Sequence, residues 1–377
     1  MSKVIFKAFA EEDHLRNVVI PISLKVDRIV FFSRQGIDKE SVETPKNIFN
    51  KYLNCELEFI SLGDNENEKI KEAFNKYPNA IIDMSGSRYV LLLLFEYAIK
   101  NGNEIYYFDE KENAIEHFPP KENCKHETIK FSIEEMIYLA GGSINKNIHT
   151  APNLQDKNTI NIICNTFEAM LDKYDSFTNS LTNIYKTIQD NKITDLRYSL
   201  GKNAKEKLNK INLFHELEKH KCFEINNNTL KFPSNTIKNL FEVSGSWLES
   251  YAYIKLKESE MFDDVMMSAV IDFSKKKKTN YPVNCEIDLL AIKDNHLYMA
   301  SCKSNKVDST AINEIALHNA IFGNELSKAA IFTLDNVKER SPAIYEKAKT
   351  LGVWVVEKPD FKRGEIAQTL LKSLKYS

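Results

Sequence analysis

Asn284-Cys285-Glu286-Ile287-Asp288-Leu289-Leu290-Ala291-Ile292 and, after a short polar turn, Leu297-Tyr298-Met299-Ala300-Ser301-Cys302-Lys303 decide the fold of this 377-residue chain. The intervening Lys293-Asp294-Asn295-His296 has turn chemistry, so the two apolar runs read as a β-hairpin with His296 as a turn residue. Side chains alternate along a strand. Glu286 and Asp288 therefore share one face, as do Ser301 and Lys303. If the strands pair, two carboxylates and an ammonium meet on one side of a sheet. Carboxylate oxygens hold Mg²⁺ or Mn²⁺, and a nearby lysine orients a water and offsets phosphate charge. The same charges also suit a solvated edge hairpin. The neighbouring segments have to decide.

Upstream lies Val243-Ser244-Gly245-Ser246-Trp247-Leu248-Glu249-Ser250-Tyr251-Ala252-Tyr253-Ile254-Lys255-Leu256. Ser244 or Ser246 can cap a helix whose Leu248, Tyr251, Ala252 and Leu256 recur at helical spacing. Glu249 sits beside that stripe, near the helix start, within reach of a site at the mouth of the sheet. A helix, a strand and a strand carrying Glu, then Asp, then x-x-Lys resemble the PD-(D/E)XK nuclease core. The Gly-x-Trp-Leu-Glu helix with Glu-Ile-Asp and Ser-Cys-Lys strands resembles one branch of it, nucleases fused to CARF (CRISPR-associated Rossmann fold) sensor domains.

That resemblance implies a homodimeric, divalent-metal-dependent endonuclease acting in type III CRISPR antiviral defence. Its substrate would be single-stranded RNA or DNA, or duplex DNA that it nicks. Its activator would be a cyclic oligoadenylate, above all cyclic tetraadenylate, bound at the sensor dimer interface. By the same resemblance Asp288 is the principal metal ligand, with Glu249 and the Cys302 carbonyl completing the shell and Glu286 as a further candidate. Lys303 positions the water and stabilises charge at the phosphate. One departure stands out. The common strand carries Asp/Glu-x-Lys, whereas here Ser301 takes the acidic place, and a hydroxyl is a poorer ligand for a hard cation. It supports an alternative reading, a cyclic-oligoadenylate-responsive nucleic-acid-binding regulator with a weak or inactive nuclease-like domain.

Residues 1 to about 120, the body of a ligand-sensing domain expected over 1–150, alternate continuously apolar strands with helices. The strands read as Val4–Phe9, Arg28–Phe32, Glu56–Ser61, Ala80–Met84 and Glu104–Phe108. Such a pattern indicates a parallel sheet covered on both faces, a Rossmann-like domain. Ligands bind such sheets at the loops leaving the carboxyl ends of strands. Here those are Ala10 to Asp13, Ser33-Arg34-Gln35-Gly36 and Ser85-Gly86-Ser87-Arg88. The last is a small-residue turn into a helix; its backbone N–H groups favour an anion and Arg88 adds positive charge. Taken alone it reads more readily as a tight turn with an exposed arginine. It is neither a dinucleotide fingerprint nor a Walker A loop. CARF sensors often carry Thr-Gly-Gly-Thr-Lys in this loop, against Ser-Gly-Ser-Arg-Tyr here. The resemblance extends the ligand-binding set from Ser85, Gly86, Ser87 and Arg88 to Asn17, Ser33 and Arg34.

Residues 151–235 are polar and Asn/Lys-rich, with helical patterns at Asn158–Tyr174, Phe177–Asp190 and Asn203–Lys219. A hairpin follows, Cys222–Ile225 and Thr229–Phe232 around Asn226-Asn227-Asn228, so the segment reads as winged-helix-like. No helix there is strongly basic on one face, which favours a spacer that transmits sensor state. Residues 236–377 complete a restriction-endonuclease-like α/β domain. Lys275-Lys276-Lys277-Lys278 in it reads as solvated charge or as a sequence-blind attraction for a nucleic acid backbone. The net charge of −2 removes bulk basicity as an argument for constitutive nucleic-acid binding. The six cysteines form no Cys-x-x-Cys pair, so neither a zinc site nor a disulfide framework is indicated, and reduced cytosolic thiols are expected. The longest apolar run, Tyr89–Ala98, is interrupted by Glu96 and too short for a bilayer. With Val4 already in a strand-like run, the expectation is a cytoplasmic protein without a membrane segment.

Overall fold

The computed structural model describes residues 2–11, 13–121, 126–145, 154, 156–243, 245–274, 283–322 and 327–372. Ser244 and the four-lysine run Lys275–Lys278 lie outside them. The first sheet is built from Val4–Ala8 (β1), Arg28–Ser33 (β2), Glu56–Ser61 (β3), Ile81–Asp83 (β4), Ile105–Asp109 (β5), Ala114–Phe118 (β6) and His126–Glu127 (β7). The strand order is β3-β2-β1-β4-β5-β6-β7, parallel through β5 and antiparallel beyond. Ile5, Ile29 and Phe31 pack on one face with helices His14–Ser23 and Lys39–Tyr52. Phe6, Val30 and Phe32 pack on the other with helices Glu66–Lys76 and Arg88–Asn101. Burial on both faces is why these strands are continuously apolar. Because β2 and β4 flank β1, the order reverses between β1 and β4, and a crevice opens there at the carboxyl ends.

The middle segment has helices Lys157–Met170 and Tyr174–Gln189 followed by more β-structure than its sequence suggests. Ser143–Ile144 (β8) precedes it. Lys192–Thr194 (β9), Arg197–Ser199 (β10), Glu224–Asn226 (β11) and Thr229–Lys231 (β12) form an antiparallel sheet in the order β11-β12-β10-β9. The β11–β12 turn is the Asn-rich one expected, with Asn227 and Asn228 at φ 47° and 62°. The single helix expected over Asn203–Lys219 is two, Lys202–Asn209 and Asn212–Lys219, because Ile211 is extended. That break turns Leu208, Leu213, Phe214 and Leu217 into one core.

The third sheet contains Asp264–Asp272 (β13), Asn284–Lys293 (β14), His296–Lys303 (β15), Lys328–Thr333 (β16) and Val353–Val356 (β17). The order is β17-β16-β15-β14-β13-β8, so its far edge strand comes from the N-terminal part of the chain. Helix Ile133–Leu139 packs on this sheet, opened by the reciprocal Ser132–Glu135 capping box that the sequence spacing announces. One face of the sheet shares a core with helix Ser309–Phe322 and the first sheet, and the other with helix Ser246–Glu258 and the middle segment.

Candidate active site and ligand loops

Helix Ser246–Glu258 buries Trp247, Leu248, Tyr251, Ala252, Ile254 and Leu256. Its cap is neither serine considered from sequence. Gly245 takes that position at φ 100°, a left-handed conformation that disfavours any side chain. This sharp entry places Glu249 in the first turn of the helix, beside the hairpin.

The hairpin does not alternate simply. Cys285 and Ile287 belong to the core on one face, whereas Leu289 and Ala291 belong to the core on the other. Val265 and Met267 against Ala269 and Ile271 show the same switch on β13. The pivot is Ser268, at φ 50°, where the β13–β14 ladder skips Ser268 and Asp288. The β14–β15 ladder likewise ends at the Leu289–Ala300 pair. Beyond it the Asp288 carboxylate replaces the main chain. Its Oδ2 accepts the Cys302 N–H at 2.6 Å and the Ser301 hydroxyl at 3.1 Å. In an extended strand a residue's N–H and C=O face the same edge, so the Cys302 carbonyl also looks toward Asp288. Ser301, the departure from the usual motif, thus holds the aspartate in place.

Electrostatically the expected residues meet. Burial pushes the Glu249 carboxyl up to about 7, helped by the charges of Asp288 and Glu286 and opposed by Lys303. Burial also raises Asp288, opposed by the Cys302 N–H, Lys303 and Ser301, with Glu314 adding to the rise. Glu249 has no hydrogen-bond partner among the described residues, unlike Asp288. Carboxylates within electrostatic range of one lysine are a donor chemistry that suits a hard divalent cation. Among the described residues no three His, Cys, Asp or Glu side chains converge tightly enough to cage an ion as they stand. The fit is therefore one of chemistry, and the carboxylates would have to close on the ion.

Two groups at this centre escaped the sequence reading. Helix Ser309–Phe322 brings Glu314 and His318 within electrostatic range of Asp288, and burial holds the His318 imidazole below its usual range. They are four residues apart, hence on one helix face; that spacing was the available signal. His296 is buried at the hairpin tip, its Nδ1 2.9 Å from the Asp294 carbonyl.

At the first sheet's reversal point, Lys7 at the end of β1 and Asp83 at the end of β4 form a fully buried ion pair of 2.7 Å. The Lys7 ammonium also donates to the Ser85 hydroxyl at 2.6 Å, and Asp83 accepts the Ser85 N–H at 2.8 Å. Gly86 lies at φ 114°, and a Cβ there would sit 2.0 Å from the Ala8 carbonyl oxygen. The turn thus passes directly over β1 and leaves Ser87 and Arg88 exposed at the helix start. Arg34 joins this group, its guanidinium 4.8 Å from the Tyr89 ring. Ser33 instead faces a cavity of about 450 Å³ beside Lys39, Lys46 and Phe59. Asn17, counted in the ligand set by the resemblance, is buried in helix His14–Ser23. Its side chain accepts the Ala10 N–H at 2.9 Å and donates to the Ala10 carbonyl at 2.7 Å, so it pins the loop and presents no free amide.

Residues 239–322 match the family model described as Card1-like, endonuclease domain. That span contains Glu249, Glu286, Asp288, Lys303, Glu314 and His318. Among solved structures, protein VC1899 from Vibrio cholerae superposes with a TM-score of 0.77 at 16% identity, covering 98% of each chain. Can2 from Sulfobacillus thermosulfidooxidans, in complex with cyclic tetra-adenylate, gives 0.70 at 15% identity over 98% of this chain and 99% of that one. A type III CRISPR defence DNA nuclease activated by cyclic oligoadenylate gives 0.50 at 13% identity, with 93% and 52% covered. Comparison with curated proteins by sequence returns no match. The likenesses show a mixed α/β fold shared over nearly the whole chain, and the family-model match puts an endonuclease-like region in its C-terminal part.

Proposed function

We propose that this chain, sharing the fold of Can2, is a divalent-metal-dependent endonuclease switched on by a cyclic oligoadenylate in type III CRISPR defence. The observation that carries the reading is Asp288, oriented by the Cys302 amide where the two strands part, with Glu249, Glu286 and Lys303 around it. Asp288, Glu249, Glu286 and the Cys302 carbonyl are the groups that would hold Mn²⁺ or Mg²⁺. When bound, such an ion polarises the phosphate and lowers the pKa of the attacking water. Ser301 and the Cys302 N–H keep the Asp288 carboxylate turned into the gap. Lys303 places its ammonium against the developing negative charge of the phosphate.

The Ser85–Arg88 turn, braced on Lys7 and Asp83, supplies an anion cradle for a cyclic tetraadenylate. Helix Arg88–Asn101, which starts there, leaves Leu92 and Ile99 68% and 54% exposed, an apolar outer face that suits a second copy of the chain. We place this homodimer in the cytoplasm; among the described residues no helix is long and apolar enough to cross a membrane. One observation favours a second reading: Ser301 occupies the place of an acidic ligand, which fits a regulator that binds nucleic acid and cuts weakly.

Labelled single-stranded RNA, single-stranded DNA and supercoiled plasmid, incubated with Mn²⁺ or Mg²⁺ and with or without cyclic tetraadenylate, separate the two. Cleavage that needs both metal and activator, and is lost in Lys303→Ala, is the expected result. Activator binding without cleavage in any metal would support the regulator instead.

A further inference from the structure

The tip of the catalytic hairpin is plugged into the sensor. Asn295 is 1% exposed, and its side chain accepts the Phe131 N–H at 2.9 Å. It donates to the Ile129 carbonyl at 2.8 Å and to the Asn113 side chain, at the tip of the β5–β6 hairpin, at 3.1 Å. Lys130, between the two main-chain partners, pairs with Asp263 at 2.7 Å and Asp294 at 3.2 Å. All three bonds of this side chain reach residues more than 160 positions away. The opposite end of the same hairpin carries Asp288, Ser301 and Lys303.

The contact continues into the ligand loops. The Ile129 N–H donates to Ser23 Oγ at 2.9 Å, at the last residue of helix His14–Ser23. The first turns of that helix hold the Ala10 loop through Asn17 and accept the Ser85 hydroxyl at the Arg16 carbonyl, 3.2 Å away. One ten-residue helix, roughly 15 Å long, therefore touches two of the three ligand loops at one end and the segment gripping the hairpin at the other.

We propose that Asn295 and residues 129–131 form the joint through which the sensor sets the position of Asp288 and Lys303. Asn295 is a positioning residue, acting through β14 and β15, whose ladder runs unbroken from the Lys293–His296 pair to the Leu289–Ala300 pair. A shift of the helix relayed by Ile129 moves the β14–β15 hairpin within its sheet, where β13 and β16 flank it, and the movement is felt where the β14–β15 ladder stops. The regulatory part of this inference rests on the activator reading above; the mechanical part does not.

Asn295→Gly is the discriminating variant. Asn295 lies at φ 61°, which glycine adopts without strain, so the turn survives while all three sensor bonds are removed. Hydrogen exchange on the full chain, without ligand, reads that movement directly. The Cys302 amide, bonded to Asp288, should exchange about tenfold faster in Asn295→Gly, with the edge strand β17 unchanged. Faster exchange confined to residues 293–296 would overturn the proposal. A second arm uses Lys130→Gln, whose side chain is 55% exposed and whose loss leaves no buried charge. Cyclic tetraadenylate should bind it within about threefold of the parent while stimulating cleavage about tenfold less. Undiminished stimulation in both variants would also overturn it. If the parent itself shows no stimulated cleavage, the functional reading fails, and the exchange arm alone decides the joint.

Discussion

Two charged clusters, one at the carboxyl ends of β1 and β4 and one where β14 and β15 part, are built on opposite principles. At the sensor's reversal point Lys7 and Asp83 are both fully buried, and each is satisfied by the other and by Ser85. At the hairpin, Asp288 and Glu249 share one lysine, Glu286 acts on Glu249 as a further like charge, and Glu249 has no hydrogen-bond partner among the described residues. A closed pair is an anchor: desolvation of the two ions is offset by their mutual attraction, and the geometry is rigid. An open cluster is a site, because crowded like charges leave a free-energy gain for whatever neutralises them. The glycine turn over β1 borrows its shape from the anchor. The hairpin cluster has no such closed partner.

That contrast can be broken by experiment. The anchor should give the largest effect. Lys7→Met strands a buried carboxylate and should cost about 3–5 kcal/mol in chemical denaturation. The double variant Lys7→Met/Asp83→Leu should recover most of that stability yet still bind activator weakly, since Ser85 has lost its brace. A single variant as mild as a surface change would show that the pair anchors nothing. Next comes Lys303→Ala, expected to lower kcat by about 10²–10³-fold while activator binding, measured by calorimetry, stays unchanged.

Glu249→Gln sharpens the electrostatics of the open cluster. The native Glu249 keeps its proton up to about pH 7, whereas an unfolded glutamate releases it near pH 4.3. Its contribution is therefore full below about pH 4 and fades as pH rises to 7. The glutamine variant of the metal-free protein should match the parent at low pH and exceed it by up to about 3 kcal/mol above pH 7. Melting curves across that range that stay parallel would deny the crowding. The smallest effect is expected from Ser301→Ala, which removes one hydroxyl bond to Asp288 while the Cys302 amide stays. A loss of about fivefold in cleavage, near 1 kcal/mol, is the expectation.

The strands of both parallel regions, the catalytic helix, the hairpin with its turn, and the capping box at Ser132 were legible because local patterning encodes them. Alternation, helical spacing and turn chemistry act within a dozen residues. The β9–β10 hairpin was missed for the same reason: three-residue strands carry too little pattern to stand out from polar helix. Simple alternation also misjudged the centre of the hairpin, since Ser268 on a neighbouring strand turns the faces over at Asp288.

What the chain alone determined is the set of elements and the residue types that can do phosphodiester chemistry, Glu249, Glu286, Asp288 and Lys303. Only the tertiary structure decided how they are completed. It drew Glu314 and His318 from a later helix, made Ser301 and the Cys302 amide the supports of Asp288, and closed Lys7 on Asp83 across 76 residues of sequence. It also set Asn295 into the sensor across more than 160 residues. Such pairings follow from sheet order and register, and no periodicity within one segment carries them.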